Sequence, residues 1–125
     1  MPAKKQILTS KQVLGQAAEA KAAEFLQAQG LVVLERNFSC KTGEIDLILQ
    51  DGKELVFAEV RFRKNSNFGG AAASVTPAKQ QRLQLTASFY LGSWRQPPAC
   101  RFDVLAMTYN NQQQIVCDNW IKNAF

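Results

Sequence analysis

Hydrophobic residues recur with the spacing of an amphipathic helix in two segments of the chain. The first segment follows Thr9, which starts a capping-box pattern, and ends at Gln29 before a C-capping glycine. The second starts at Pro77, after an N-capping threonine, and ends near Leu91. The pattern therefore predicts two helices, one near the N-terminus and one in the second half of the chain.

Short runs with strand-like composition fill most of the remaining sequence. We expect strands at residues 31–34, on both sides of a turn at Asp51 and Gly52, at 100–108 and at 115–117. The resulting order, αβββαββ, predicts an α/β domain in which helices flank a mixed β-sheet. The 125 residues suit one domain, 1–125, with a flexible N-terminus at 1–8 and a mobile loop at 64–75.

The two runs around the Asp51–Gly52 turn carry acids at positions where strands rarely place them. If Asp51 and Gly52 are the two turn residues, the hairpin register follows by counting back from the turn. The expected cross-strand pairs are Gln50 with Lys53, Asp46 with Phe57, and Glu44 with Glu59. Side-chain alternation then puts five residues on one face: Glu44, Asp46, Phe57, Glu59 and Arg61.

Opposed carboxylates repel each other unless a cation neutralises them. A divalent metal held by Asp46 and Glu59, with Arg61 two residues along the strand, would make the pattern favourable. The alternative is a hairpin with one wet face, where the acids are only solvated. The core would then receive Ile45, Leu47, Leu49, Ala58 and Val60. Spacing alone leaves both interpretations open.

The residue types that are absent narrow the possible chemistry. The chain has no histidine, which excludes imidazole acid-base catalysis and imidazole metal sites. Its three cysteines lack C-x-x-C spacing, so we expect small buried side chains and neither a disulfide framework nor a zinc site. Oxygen ligands select Mg²⁺ or Mn²⁺. No secretion signal or membrane-spanning apolar run is found, which predicts a cytoplasmic protein without a membrane partner.

Positive charge is concentrated in one part of the chain, which has a net charge of +5. From Val60 to Phe102 there is no Asp or Glu. The basic residues of that stretch are Arg61, Arg63, Lys64, Lys79, Arg82, Arg95 and Arg101. A cationic face beside carboxylates suits a metal-dependent enzyme acting on a phosphodiester, although a solvated basic surface is the simpler alternative. Three aromatic residues either stack on bases or close the core: Trp94, Trp120 and Phe125.

The segments Gly43-Glu-Ile-Asp-Leu-Ile48 and Val56-Phe-Ala-Glu-Val-Arg-Phe-Arg63 resemble the bacterial YraN family, whose members look like small relatives of the PD-(D/E)XK nucleases. The resemblance covers nearly the whole chain. Its further matches are Gly15, Glu19, Asn37, Phe68, Gly69, 75–79 and 101–103. It implies a restriction-endonuclease-like core of the order given above.

The resemblance also implies a function and a site. Asp46, Glu59, Glu19 and the Val60 carbonyl would ligate Mg²⁺ or Mn²⁺, and Asp46, Glu59, Arg61 and Glu19 would be the catalytic residues. Nucleic acid, most readily DNA, would contact Arg63, Lys64, Lys79 and Arg82. The family pattern usually has lysine where this chain has Arg61, and arginine cannot act as a general base.

Three functions follow as hypotheses. The first is a metal-dependent endonuclease hydrolysing DNA, weakened by Arg61. The second is an inactive protein of nuclease fold that binds DNA or branched nucleic acid without cleaving it. A protein-interaction module with a solvated acidic hairpin is the third. Many nucleases of this fold are dimers, so a homodimer is expected as an option.

Overall fold

The structure is a computed structural model that describes residues 7–64, 70–92 and 94–125. Its elements, in chain order, are α1 (Ser10–Ala28), β1 (Val32–Cys40), β2 (Gly43–Asp51), β3 (Glu54–Phe62), α2 (Gly70–Ala73), α3 (Pro77–Leu91), β4 (Cys100–Tyr109) and β5 (Ile115–Ile121). The predicted α/β class and the order αβββαββ are confirmed, with the four-residue helix α2 added. Most of the predicted flexible N-terminus, 1–8, and the matched residues Phe68 and Gly69 lie outside the described residues.

Local capping chemistry starts both long helices where the sequence predicts. The Thr9 hydroxyl accepts from the Gln12 N–H at 3.1 Å, and the Gln12 side chain accepts from the Thr9 N–H at 2.9 Å. These two bonds form the capping box of α1. In α3, the Thr76 hydroxyl accepts from the Lys79 N–H at 3.2 Å, and Pro77 is the first helical residue.

The sheet separates two apolar cores. Its strand order is β1-β2-β3-β4-β5, with β3 and β4 parallel and all other neighbours antiparallel. Alanines and Leu26 of α1 pack on one face, against side chains that include Leu47 and Ala58. Leu83 and Ala87 of α3 pack on the other face, against side chains that include Phe57. Both faces of the β2–β3 hairpin are therefore covered, and the hairpin with one wet face is wrong.

The turn of the β2–β3 hairpin lies one residue later than predicted. Asp51 pairs with Glu54, so Gly52 and Lys53 form the two-residue loop, and Gly52 has a φ of 60°. A glycine with positive φ at the first loop position suits a tight hairpin turn. The pairs Gln50 with Lys53, Asp46 with Phe57, and Glu44 with Glu59 are wrong by two residues. A shift of two preserves the faces of the strand, which a shift of one would have exchanged.

Strand β1 is longer than the predicted strand at 31–34. The register shifts between Val33 and Glu35, and Asn37 adopts a positive φ of 52°. Asparagine tolerates this left-handed conformation better than most residues, so the strand passes through Asn37 and continues to Cys40. The irregular backbone hid this half of β1 from a strand pattern based on strict alternation.

The cysteines are less buried than expected. Cys40, Cys100 and Cys117 are all free thiols. Cys100 is exposed and donates to the Pro98 carbonyl at 3.2 Å, while the other two are half-buried. The expectation of three buried side chains is therefore wrong for Cys100.

A buried ion network joins the hairpin tip to β4 and the C-terminal segment. The Arg101 guanidinium contacts Asp51 at 2.8 Å, Glu54 at 3.2 Å and Asp103 at 3.1 Å. Asp103 is fully buried and also accepts from the Trp120 indole N–H at 2.9 Å and the Asn123 backbone N–H at 3.0 Å. Every Asp103 oxygen is thus used, which is the condition for a buried charge to be tolerated.

We predict that Asp103→Ala lowers the free energy of unfolding by about 3–5 kcal/mol, because it strips a buried guanidinium of its most buried partner. Glu54→Gln is the matched control, since Glu54 contacts the same guanidinium but its side chain is 47% exposed. It should cost less than about 1 kcal/mol. Urea denaturation of both variants measures the difference, and equal costs would contradict it.

Candidate functional site

The candidate site is built around an interruption of the sheet at Asp46. The pairing of β1 with β2 has no Asn37–Asp46 pair, and the pairing of β2 with β3 ends at Leu47 and Ala58. On either side of Asp46, Ile45 packs in the α3-side core and Leu47 in the α1-side core, so strict alternation fails here. The Asp46 side chain reaches β3 at the point where the pairing of β2 with β3 ends.

The Asp46 carboxyl group bonds to backbone and to a second acid. Its Oδ2 accepts from the Val60 N–H at 2.8 Å. Its carboxyl group is also hydrogen-bonded to that of Glu19, which α1 brings to the sheet. Burial and the nearby Glu59 charge raise the pKa of Asp46 to about 8. The raised pKa favours the protonated form of Asp46 at neutral pH, beside the carboxyl group of Glu19.

Glu19 is half-buried and close to Asp46. Burial is the main cause of the raised pKa of its carboxyl group, which the hydrogen bond from Asp46 partly offsets. Two neighbouring acids whose pKa values are raised by burial mark a place where negative charge is poorly neutralised. A cation there would replace the proton.

Asn37 organises the acids from β1. Its side-chain amide can hydrogen-bond to the neighbouring carboxylates only when the amide nitrogen, and not the oxygen, faces them. The nitrogen then donates to Glu19 Oε2 at 3.0 Å and to Glu44 Oε1 at 3.1 Å. The positive φ of Asn37 and its two donors thus place one amide between two carboxylates.

Two cations face Glu59. Glu59 is buried, and its Oε1 lies 2.8 Å from Lys79 Nζ and 3.8 Å from Arg61 Nε. Lys79 comes from the first turn of α3, whereas Arg61 comes from the same strand as Glu59. Arg61 Nε is buried without a hydrogen-bond partner in the structure. Lys79, expected only as a nucleic-acid contact, is the closer cation.

Two cavities open onto Asp46 from opposite faces of the sheet. The larger, about 580 Å³, lies on the α3 side, and its lining includes Asp46, Glu59, Lys79, Arg82 and Lys41. The smaller, about 130 Å³, lies on the α1 side between Glu19, Arg36 and Asn37. The larger cavity combines acids at its floor with cations at its rim.

Cys40, Lys41 and Thr42 form one wall of the larger cavity, and Thr42 contacts Thr86 of α3. The Thr42 and Thr86 hydroxyls are 2.8 Å apart, and Cys40 Sγ lies 3.2 Å from the Thr42 hydroxyl. That contact to Thr42 is the main cause of a lowered pKa of the Cys40 thiol. Gly43 beside this wall has a φ of 147°, which disfavours any other residue there.

Three further predicted site residues, Val60, Arg63 and Lys64, differ in how close they lie to the acids. Val60 reaches the site through its N–H, which donates to Asp46. Arg63 is exposed and Lys64 lines a separate cavity with Leu8 and Tyr109 on the α1 side. The structure brings together Asp46, Glu59, Arg61, Glu19, Lys79 and Arg82, but it does not bring Lys64 to them.

The acid cluster, formed by Glu19, Asp46 and Glu59, is not a preformed metal cage. Within the described part of the chain, no group of three or more Asp, Glu or Cys side chains is arranged to hold a metal ion. Mg²⁺, however, is commonly bound by one or two protein carboxylates together with substrate phosphates. Asp46 and Glu59 fit that incomplete kind of site.

Sequence reasoning did not assign Asn37 and Glu44 to the site. Asn37 appeared only as a family match, and Glu44 only as a member of the acidic face. The combination of an asparagine inside a strand-like run and a nearby acid pair was the available signal, since asparagine is enriched at positive φ.

Comparison with known proteins identifies the family. The family model described as "Uncharacterised protein family UPF0102" matches residues 18–107. The chain belongs to this family. The resemblance to the YraN family is thereby confirmed, since UPF0102 is that family. The match spans the acid cluster, from Glu19 to Glu59, and also Lys79.

Relatives of similar length carry the same family description. A UPF0102 protein of Herminiimonas arsenicoxydans is 53% identical over 93% of this chain and 89% of its own. One of Janthinobacterium sp. (strain Marseille) is 54% identical over 93% and 89%, and one of Alcanivorax borkumensis is 50% identical over 95% and 96%. These UPF0102 names state no activity, so the function is argued from the site.

Across residues 7–64, 70–92 and 94–125, no helix is long and apolar enough to cross a membrane.

The pKa of Asp46 predicts how pH affects the stability of the metal-free protein. Asp46 holds its proton to about pH 8 when folded, against an ordinary value of 3.8. The folded state thus binds more protons between these values, so the Asp46 contribution to stability is lost as pH rises through that window. Asp46→Asn stays uncharged, so its free energy of unfolding should exceed that of the wild type by up to about 5 kcal/mol at pH 8 and by less than about 1 kcal/mol at pH 4. Urea unfolding in EDTA at both pH values measures this, and parallel pH profiles would contradict it.

Proposed function

We propose that the protein is a metal-dependent endonuclease acting on DNA, with Asp46 and Glu59 as ligands of Mg²⁺ or Mn²⁺. The observation that carries the proposal is the meeting of Asp46, Glu19 and Glu59 at a break in the sheet, beneath a cavity lined by Lys79 and Arg82. Carboxylates with raised pKa values in a cleft are typical of functional sites. Cations at the rim supply affinity for phosphate.

The donor set suits a hard cation that is completed by the substrate. Two carboxylates and phosphate oxygens form a common Mg²⁺ environment, while Glu19 and the Val60 carbonyl are the remaining proposed ligands. When bound, the metal would polarise the scissile phosphoryl group and lower the pKa of a water molecule. Arg82 would hold the phosphate, and Asn37 would keep Glu19 and Glu44 oriented.

Lys79 supplies the ammonium group that the family pattern usually places at position 61. Its Nζ lies 2.8 Å from Glu59, closer than Arg61 at 3.8 Å. Arginine has a fixed charge and a planar fork, so Arg61 suits charge stabilisation of a phosphate. Lysine presents a compact ammonium that can position a water molecule or a phosphate oxygen.

One observation favours a second candidate function, binding of nucleic acid without cleavage. Lys79 already neutralises Glu59, and no set of three acids among the described residues forms a metal cage. A protein that kept the cationic cavity but lost metal affinity would have these features. The homodimer and the cytoplasmic location stay predictions.

Removing either proposed metal ligand tests the enzyme directly. Asp46→Asn and Glu59→Gln should each lower Mg²⁺- or Mn²⁺-dependent cleavage of supercoiled, single-stranded and branched DNA by about 100-fold or more. Glu24→Gln is the matched control, because Glu24 is an exposed acid of α1 paired with Lys21 at 3.3 Å. EDTA should abolish cleavage by the wild type.

The outcomes of this experiment separate the two candidates. Salt-sensitive DNA binding without cleavage, and without heat on titration with Mn²⁺, would assign the non-cleaving function. Cleavage that survives both substitutions would mean that the acids have no role in the reaction.

Lys79 and Arg61 can be separated by a rescue experiment. Lys79→Met should reduce cleavage by roughly 100-fold, because the ammonium nearest Glu59 is lost. Arg61→Lys in the wild-type background should change the rate less than about tenfold, since Lys79 already provides that group. In the Lys79→Met background, Arg61→Lys should raise the cleavage rate at least about tenfold. Single-turnover rates measure both, and the absence of rescue would contradict the shared role.

A further inference from the structure

One flank of α3 exposes apolar side chains next to the larger cavity. Arg82, Leu85 and Phe89 are spaced i, i+3 and i+7, so they share one side of the helix. Leu85 is 50% exposed and Phe89 64%, and Trp94, just beyond the helix, is 38% exposed. Large apolar side chains grouped on a surface, unlike scattered ones, indicate an interaction site.

Aromatic rings connect this flank into a ridge. The Phe89 ring lies 6.4 Å from that of Phe38, which lies 5.2 Å from Tyr90, and Tyr90 lies 6.2 Å from Trp94. We call the exposed surface of Leu85, Phe89 and Trp94 the α3 ridge. Phe38 and Tyr90 support it from below.

The other two aromatic residues considered for base stacking serve the cores. The Trp120 ring meets Phe25 at 6.0 Å, and its indole N–H donates to Asp103. The Phe125 ring stacks on Phe102 at 5.0 Å. Trp94 alone of the three is left on the ridge.

The ridge continues the cationic cavity and has a charge suited to a polyanion. Arg82 lines the cavity, and a rise of about 1.5 Å per residue places Phe89 about 10 Å further along α3. Helix α3 carries Lys79 and Arg82 and no acid. Glu35 of β1 is an acid on this side of the molecule: burial, and after it the charge of Glu35, raises the pKa of Tyr90. Phosphates would therefore follow α3 and avoid β1.

We propose that the α3 ridge is a stacking surface for unpaired bases of a nucleic acid whose phosphates lie at Arg82 and Lys41 in the cavity. Aromatic side chains stack on bases only where the bases have left the duplex, so the substrate class is DNA with a single-stranded segment. This inference rests on the proposed function, because the same cavity receives the phosphate. A second copy of the chain fits the ridge less well, because its α3 carries no acid and so offers no negative charge to Lys79 and Arg82.

Binding measured in EDTA tests the ridge without cleavage. Fluorescence anisotropy would compare a labelled single-stranded oligonucleotide with a duplex of the same sequence, at low salt. Phe89→Ala should weaken single-strand binding roughly 5- to 100-fold, the range for loss of one stacked base, with duplex binding changed less than about twofold. Phe89→Trp should retain binding, because it keeps an aromatic face.

Matched controls cover folding and self-association. Val32→Ala removes another exposed apolar side chain, 58% exposed, on β1. It should leave binding unchanged. If Phe89→Ala does not fold, Trp94→Ala gives the same test from the end of the ridge. Sedimentation of wild type and variant reports the oligomeric state.

Three results would overturn the inference: equal single-strand binding by Phe89→Ala, an equal loss for the duplex, or a wild-type dimer that Phe89→Ala converts to monomer. The last would assign the ridge to self-association. The proposed endonuclease function would be contradicted by a separate result, namely that Asp46→Asn cleaves DNA as fast as the wild type. A Phe89-dependent single-strand preference would survive that failure.

Discussion

The hydrogen bond from the Val60 N–H to the Asp46 carboxyl group is the contact on which the site depends. A backbone donor in the middle of a sheet normally finds a strand carbonyl, and here it finds a side chain. The strands can therefore separate at Asp46 without leaving that amide unpaired. The gap admits Glu19 from α1 on one face and Lys79 from α3 on the other.

Charge balance explains why the gap is occupied by these particular groups. Burial, together with the closeness of the three acids Glu19, Asp46 and Glu59, raises the pKa of Asp46 and of Glu19. The molecule offers two partial solutions: protonation of Asp46, which its raised pKa favours, and the ammonium of Lys79 on Glu59. Both can be exchanged for another cation. An acid cluster stabilised in this provisional way is more suited to binding than to holding the fold together.

The fold was readable from the sequence wherever local chemistry determines it. Capping residues Thr9 and Thr76 and the apolar periodicity located both helices. The acids of the predicted hairpin indicated Asp46 and Glu59, and the family resemblance added Glu19. The hairpin register failed because Asp51 and Gly52 look like the two loop residues, while Arg101 holds Asp51 in the sheet. Lys79 on Glu59 is a contact 20 residues apart in sequence, which no local pattern contains.

The two cavities that meet at Asp46 lie on opposite faces of the sheet. The acid cluster therefore has two entrances of unequal width. A polymer lying across the wide α3-side mouth would leave the narrow α1-side mouth, between Glu19 and Arg36, in contact with bulk solvent. Asp46 can thus be approached from both faces of the sheet, whereas Glu59 lines the larger of the two cavities and Glu19 the smaller.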